Sequence, residues 1–325
     1  MKIKILILGG TMFAGRALVE KLLLNKNYDI TLFNRGKSNK TLFPDVLKIN
    51  GSRETEDILQ ICNKYWDVVI DFSGYYPKTF EQLLVKLSGN VGRYIFISTI
   101  SVFQIGNSAD EIIYENDETL HCSEEQMISA LPDAYGEKKA AMARILLSHI
   151  EMDSIILRPS FIYGRYDWTD RFYYWLYRAK HAEQILMPEA TLLSLTYVED
   201  LVSGLLKAIE IKEHKPIYNA ITHSGISLKE TIDVVSEILN KNTETVVLHE
   251  NIMKEKQLDN NSFPLSLPFN LRIEGNNWLN DFSLTPTSFR DSISQTISYC
   301  DSIGWPLPKA GMSINDEKAL LLSIS

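Results

Sequence analysis

The first 24 residues place a short apolar run, a glycine-rich turn and a helical pattern in immediate succession. The run covers residues 2–8, the turn reads GGTMFAG over residues 9–15, and the helical pattern follows over residues 16–24. The free backbone N–H groups and the dipole at a helix N-terminus attract negative charge, which suits the pyrophosphate of a dinucleotide. The sequence therefore predicts a dinucleotide site at this turn, with an ordinary turn between strand and helix as the alternative.

The glycines of this turn have different predicted roles. Gly9 permits the tight turn, and Gly15 allows the helix to pack closely against the strand. Six residues of the turn are expected to contact the cofactor: Gly9, Gly10, Thr11, Met12, Phe13 and Gly15.

Strand and helix patterns continue to alternate beyond this turn. Strand patterns recur at residues 29–33, 67–72, 93–98, 154–157 and 216–221, and helical patterns at 57–64, 134–150 and 198–210. Such alternation predicts a parallel sheet with helices on both faces. We expect an α/β fold whose Rossmann-type, doubly wound sheet comprises residues 1–157 and 196–221. Residues 158–195 and 222–325 are more irregular, and are predicted to form a smaller, discontinuous substrate-binding domain.

The composition narrows the classes of partner. Lys and Arg total 33 against 41 Asp and Glu, a net charge of −8, so a nucleic-acid partner is not expected. The three cysteines are far apart and the six histidines show no ligand spacing, so we expect no metal. No segment approaches the roughly 20 apolar residues of a membrane span. The chain is expected to be cytoplasmic and to bind a small-molecule substrate. Whether it forms a homodimer is left open.

The end of the second predicted strand indicates which dinucleotide is bound. An NAD site usually offers Asp or Glu to the ribose hydroxyls there, whereas an Arg suits the 2′-phosphate of NADP. This chain has Asn34, Arg35 and Lys37 at that point, with no acid between them. The sequence therefore favours NADP over NAD, with contacts from these three residues. The alternative is that the two cations belong to a solvated loop.

A tyrosine, a lysine and two hydroxyls form the candidate catalytic set. Tyr135 and Lys139 are four residues apart in a predicted helix, so they lie on one face of it. Ser98 and Thr99 end the strand that precedes this helix. An ammonium near a phenol stabilises the phenolate, which suits proton transfer during hydride transfer at a carbinol carbon. The alternative is a packed tyrosine beside a solvated lysine.

Taken in order, the motifs resemble the extended and atypical short-chain dehydrogenase/reductases, in particular the NAD-dependent epimerase/dehydratase family. Besides GGTMFAG and YGEKK, the resemblance includes STISVF at 98–103, LRPSFIYG at 157–164, LTYVEDLV at 195–202, YNA at 218–220 and SLTPTSFRDSISQTISY at 283–299. The resemblance implies that Tyr135 is the catalytic acid/base, that Lys139 lowers its pKa and holds the nicotinamide ribose, and that Thr99 is the active-site hydroxyl. It further implies cofactor contacts from Ser52, Arg53, Ser73, Gly74, Ser98, Lys139, Pro159 and Phe161.

Three positions depart from the family pattern. Met12 replaces a glycine of the turn, as in an atypical branch with the turn G-G-T-x-F-x-G, some of whose relatives associate with RNA. A non-catalytic, NAD(P)-responsive binding protein, RNA-associated or not, is therefore the alternative function, although the intact Tyr135 and Lys139 pair favours an enzyme. Ser52 replaces an acid of the adenine-contacting loop. Phe161 replaces the asparagine that contacts the substrate in nucleotide-sugar epimerases, which argues against a nucleotide sugar.

Nine aromatic residues lie within residues 161–177, with arginines between them. Aromatic walls with a few polar anchors suit a ring-bearing substrate, and a guanidinium pairs with carboxylate or phosphate. The predicted substrate contacts are Tyr163, Arg171 and Trp175. The alternative is that the aromatic side chains form the core of the smaller domain.

Overall fold

The computed structural model describes residues 2–106, 111–189 and 191–324. Its strands are β1 (Ile3–Leu8), β2 (Tyr28–Asn34), β3 (Leu47–Asn50), β4 (Trp66–Asp71), β5 (Val91–Ile97), β6 (Ile112–Ile113), β7 (Asp153–Pro159), β8 (Phe161–Tyr163), β9 (Gln184–Pro188), β10 (Leu192–Tyr197), β11 (Ile217–Ala220), β12 (His223–Ser227), β13 (Glu244–Leu248) and β14 (Arg272–Ile273). Its α-helices are α1 (Phe13–Leu22), α2 (Leu59–Cys62), α3 (Pro77–Leu87), α4 (Glu124–Ile128), α5 (Tyr135–Ser148), α6 (Arg171–His181), α7 (Val198–Glu210), α8 (Leu228–Ile238), α9 (Glu250–Glu255), α10 (Asn276–Asp281), α11 (Phe289–Ser302) and α12 (Ile314–Ile324). Short 3-10 helices cover Glu56–Ile58 and Ile100–Val102.

A seven-stranded sheet forms the centre of the molecule, in the order β11-β7-β5-β4-β1-β2-β3. Every neighbouring pair in it is parallel. The order of strands reverses at β1, which lies between β2 and β4, and open α/β sheets bind ligands in the crevice at such a point. The predicted Rossmann-type α/β sheet is confirmed.

Helices cover both faces of this sheet, as the alternating side chains of β1 show. Ile5 and Ile7 pack into one buried cluster with α1 and α7, whereas Leu6 and Leu8 pack into another with α3 and α5. Strands that are buried on both faces have nearly continuous apolar sequences. The residues KILIL at the start of the chain follow this rule.

Smaller elements lie beyond this sheet. β8, β10 and β12 form a three-stranded sheet, while β9 pairs with β13 and β6 with β14. The described part of residues 222–325, which the sequence analysis treats as irregular, contains the helices α8 to α12. β3 and α3 are elements that the sequence analysis does not predict, and the helix expected at 57–64 is a 3-10 turn followed by one short helix. The boundaries of the two domains stay a prediction.

Candidate active site

A cavity of about 700 Å³ opens at the carboxyl ends of the central strands. Most of the predicted site residues line it, namely Gly9, Gly10, Thr11, Met12, Phe13, Gly15, Asn34, Arg35, Lys37, Ser52, Arg53, Ser73, Ser98, Thr99, Tyr135, Lys139, Pro159, Phe161 and Arg171. The structure does not bring Gly74, Tyr163 or Trp175 to the lining. A volume of this size is within the usual range for small-molecule and cofactor sites.

The glycine turn has the geometry of a phosphate cradle. Gly9 has a φ of +110°, which favours glycine. A Cβ on Gly15 would lie 3.1 Å from the Cα of Gly10, so α1 begins in close contact with the turn. Met12 is the N-cap residue of α1 and makes no side-chain capping bond, so its side chain does not occupy the first backbone N–H groups. These features fit the pyrophosphate of a dinucleotide.

The end of β2 holds Asn34 in a fixed orientation at the cavity. Its side-chain oxygen accepts a hydrogen bond from the N–H of Gly36 at 2.9 Å, and its side-chain nitrogen donates to the carbonyl of Gly9 at 3.3 Å. Arg35 and Lys37 are exposed, line the cavity and form no salt bridge with any residue in the described ranges. They are therefore available to an anionic ligand.

Arg53 and Asp71 form a buried ion pair beside the cavity. Two guanidinium nitrogens of Arg53 lie 2.9 and 3.0 Å from the two carboxylate oxygens of Asp71. Asp71 also accepts hydrogen bonds from the Tyr94 hydroxyl at 2.7 Å and the Ser73 N–H at 2.8 Å. Burial by itself raises the pKa of Asp71, but the Arg53 guanidinium and the hydrogen bonds from Tyr94 and Ser73 together keep the pKa below its ordinary value. The charge of Arg53, which the resemblance assigns to the cofactor, is thus balanced within the protein.

The first turn of α5 brings Tyr135 to the end of β5. Thr99, beside the Tyr135 phenol, forms the N-cap of the 3-10 turn Ile100–Val102, and its hydroxyl donates a hydrogen bond to the Ser101 hydroxyl at 3.2 Å. Gly136 allows this approach, because a Cβ there would lie 2.1 Å from the carbonyl oxygen of Ser101. Ser98 is 4% exposed, and its hydroxyl has no hydrogen-bond partner among the described residues. An unpaired hydroxyl in the cavity wall is suited to a polar ligand.

Lys139 points back from α5 to the same strand end. Its ammonium donates a hydrogen bond to the carbonyl oxygen of Ile97 at 2.8 Å, and lies 5.9 Å from the centre of the Tyr135 ring. The side chain is 2% exposed. Burial lowers the pKa of Lys139 to about 7, although the charge of Asp71 raises it. Tyr135 and Lys139 therefore face each other, as their spacing predicts.

The pKa of Tyr135 shifts in the direction opposite to the one expected. Burial raises it to about 12, and the neighbouring Tyr75 phenol adds to the rise. The Thr99 hydroxyl and the charge of Arg171 lower it, but by less. Loss of hydration around the phenolate outweighs these contacts.

The aromatic run at 161–177 divides between cavity and core. Phe161, Trp168 and Arg171 line the cavity, with the Arg171 guanidinium 5.2 Å from the centre of the Phe161 ring. Tyr163 and Trp175 are fully buried. The Tyr163 hydroxyl bonds to the Ser292 hydroxyl, and the Trp175 indole donates to the carbonyl of Pro264. The structure places these two predicted substrate residues in the core, because Tyr163 is turned inward at the end of β8 and Trp175 lies on the buried face of α6.

Three residues near the site were not singled out from the sequence. Asp71 is a carboxylate at the end of an apolar strand. Because a buried charge needs a partner, this position in the sequence indicates a buried ion pair. Gly136 lies inside a helix, where glycine is unfavourable unless close packing requires it. Tyr75 follows β4 in a short loop and lines the cavity, but no motif in the surrounding sequence indicates that it belongs to the site.

The described residues contain neither a metal-binding cluster nor a membrane-spanning helix. Within the described ranges, no three His, Cys, Asp or Glu side chains are grouped so that they could hold a metal ion. None of the helices in the same ranges is both long and apolar enough to cross a membrane.

The chain matches the family model described as NAD dependent epimerase/dehydratase family over residues 5–220. The structure of UDP-glucuronic acid 4-epimerase from Bacillus cereus with NAD has a TM-score of 0.69 and 17% identity, and the match covers 94% of this chain and 100% of that one. The structure of dTDP-glucose 4,6-dehydratase from Bacillus anthracis with NAD has a TM-score of 0.67 and 16% identity, and the match covers 92% of this chain and 97% of that one. The structure of the enzyme WbmG from Bordetella bronchiseptica with NAD has a TM-score of 0.71 and 16% identity, and the match covers 94% of this chain and 96% of that one. No curated protein matches this chain.

The solved structures share the fold of this chain along nearly its whole length, at low identity. The family model covers the glycine turn, the Tyr135 and Lys139 pair and all seven strands of the central sheet. The resemblance read from the motifs is therefore confirmed, and the chain belongs to the NAD-dependent epimerase/dehydratase family of enzymes.

Proposed function

We propose that this enzyme epimerises, reduces or oxidises a small molecule at a hydroxyl or keto carbon, using NAD(P). The supporting observation is that one cavity contains both the glycine turn and the set of Tyr135, Lys139 and Thr99. A bound nicotinamide supplies the acceptor and donor of hydride. The chain itself supplies the proton transfer and the contacts that orient both ligands.

The proposed roles follow from the contacts. With a pKa of about 12, the Tyr135 phenol is protonated at neutral pH and can donate its proton to a substrate oxygen. Accepting a proton requires the phenolate, which the Thr99 hydroxyl and the Arg171 charge both stabilise. Thr99 also holds the substrate oxygen, with Ser98 beside it. Lys139 holds the nicotinamide ribose.

Arg171 is the proposed anchor for the substrate. It is exposed, lines the cavity and forms no salt bridge in the described part of the chain. A guanidinium in this position suits a carboxylate or phosphate, while Phe161 and Trp168 offer ring faces. UDP-glucuronic acid and dTDP-glucose, the substrates in the names of two neighbouring structures, are the first compounds to test.

We propose NADP as the preferred cofactor. Asn34 takes the place of an acid at the end of β2, and Arg35 and Lys37 have no salt bridge within the described ranges. Against this stands the NAD bound in the neighbouring structures.

The substitution Tyr135→Phe tests the proposed function. We expect turnover to fall by at least about a hundredfold, because general acid–base catalysis typically contributes that much. The dissociation constant of NADP or NAD should stay within about threefold, since the phenol is assigned to proton transfer. Turnover is measured with the two nucleotide sugars, and cofactor binding by calorimetric titration.

Tyr114→Phe is the matched control, because Tyr114 is an exposed phenol outside the cavity lining. Turnover that persists in Tyr135→Phe would contradict the proposal, as would an equal loss in the control. Acid release of tightly held nicotinamide from the purified enzyme favours epimerisation or dehydration, in which the cofactor is recycled. A cofactor that exchanges freely favours net reduction or oxidation.

A further inference from the structure

Three aromatic rings surround the ammonium of Lys139. Its nitrogen lies 4.6 Å from the centre of the Phe96 ring, 5.4 Å from that of Tyr75 and 5.9 Å from that of Tyr135. All three distances are within the range of cation–π attraction. An ammonium has three N–H donors, and in the described ranges that of Lys139 makes one hydrogen bond, to Ile97. The rings therefore supply much of its surroundings, and we call the set of Tyr75, Phe96 and Tyr135 the aromatic cage.

The charged groups around Lys139 do not replace this cage. Asp71, on β4, is the carboxylate that raises the pKa of Lys139, but it is already paired with Arg53. Arg53, on the loop after β3, acts in the opposite direction. Tyr75 and Tyr135 are the titratable groups of the cage itself. A buried ammonium is costly unless it has partners, so contacts with the surrounding rings matter to Lys139.

Tyr75 is the ring of the cage that has no other assigned task. Phe96 belongs to the buried core of β5, and Tyr135 is the proposed acid/base. Tyr75 lies in the loop between β4 and α3, lines the cavity and is 51% exposed. We propose that Tyr75 is a positioning residue that holds the Lys139 ammonium in place with the face of its ring. The effect of Tyr75 on turnover rests on the proposed function, whereas its effect on the Lys139 ammonium does not.

Direct titration of Lys139 tests this proposal. NMR of protein with ¹³C- and ¹⁵N-labelled lysine follows single ammonium groups, and the Lys139 signal is identified by its loss in Lys139→Arg. Tyr75→Leu keeps an apolar side chain but removes the ring. We expect it to lower the Lys139 pKa by about 0.5–1 pH unit, a size between those of an exposed and a fully desolvated cation–π contact. Tyr75→Phe keeps the ring and should leave the value unchanged.

Activity provides a second measurement. If Lys139 must be charged, the alkaline limb of kcat/KM should move to lower pH in Tyr75→Leu and stay in place in Tyr75→Phe. An unchanged Lys139 pKa in Tyr75→Leu overturns the proposal, and so does an equal fall in both variants, which would assign the effect to the phenol hydroxyl. Tyr75→Met gives the same comparison if the leucine variant does not fold. The titration needs no substrate, so an inactive enzyme would overturn only the proposed function.

Discussion

At the scale of single residues, Arg35 is the side chain on which the choice of dinucleotide is most easily tested. The neighbouring Asn34 is a neutral amide, held in place by hydrogen bonds with Gly36 and Gly9, and presents no negative charge to a 2′-phosphate. Arg35 is exposed at the same edge of the cavity. A guanidinium can meet a phosphate with two hydrogen bonds, whereas a ribose hydroxyl gains much less from it.

We expect Arg35→Ala to weaken NADP binding about 10- to 100-fold, because a hydrogen bond to a charged group contributes roughly 1.5–3 kcal/mol. NAD binding should change by less than about threefold. Both dissociation constants are measured by titration at one salt concentration. Lys26→Ala removes an exposed cation outside the cavity lining and serves as the control. Tighter binding of NAD than NADP by the unsubstituted enzyme would show that the assignment to NADP is wrong.

At the scale of elements, the first turn of α5 and the 3-10 turn Ile100–Val102 act as one unit. Gly136 lies where the two backbones meet, because a Cβ there would be 2.1 Å from the Ser101 carbonyl oxygen. Tyr135 and Thr99 lie directly beside this contact, one on each element. The separation of the two elements therefore sets the separation of Tyr135 and Thr99, the two proposed catalytic groups.

Gly136→Ala is expected to push these elements apart. Overpacking of this kind typically costs about 1–3 kcal/mol of unfolding free energy. A displacement of about 1 Å at the site can reduce turnover roughly a hundredfold. Urea unfolding and steady-state kinetics measure the two effects. Glu137→Ala, at the next position of the helix, is the control, and a fully active Gly136→Ala enzyme would contradict this account.

The parallel sheet was the most predictable element, because residues such as Ile5 and Ile7 give β1 its apolar run and helices follow at regular intervals. The ligand-binding edge followed from the position of the glycine turn. The direction of the Tyr135 pKa could not be read from spacing, since it depends on how much protein surrounds the phenol. The core positions of Tyr163 and Trp175 depend on which sides of β8 and α6 turn inward, and an aromatic run does not specify this.

At the scale of the whole molecule, α6 connects the cavity to the end of the described chain. Arg171 begins the helix at the cavity, and Arg178 lies further along it. Arg178 forms an ion pair with Glu317 of α12, and both side chains are buried. Glu317 also accepts a hydrogen bond from the N–H of Leu186 in β9. One carboxylate of α12 therefore joins this helix to α6 and β9, two elements that lie far from it in the sequence.

Glu317→Ala leaves the Arg178 charge buried without this partner. We expect the free energy of unfolding to fall by about 3–5 kcal/mol, which is the usual cost of breaking a buried pair. Chemical denaturation measures the change. Lys318→Ala alters an exposed neighbour on the same helix and should stay within about 0.5 kcal/mol. Equal stability of the two variants would show that the pair contributes little.

The order of strands in the sheet also has a consequence for the growing chain on the ribosome. β7 pairs with β5 on one side and with β11 on the other, and residues 160–216 separate β7 from β11. The edge of β7 that pairs with β11 therefore stays unpaired until Ala220 has been synthesised. An open strand edge can recruit a strand from another molecule. The nascent chain is thus exposed to aggregation during this interval, and a pause in translation between these two strands would lengthen the interval.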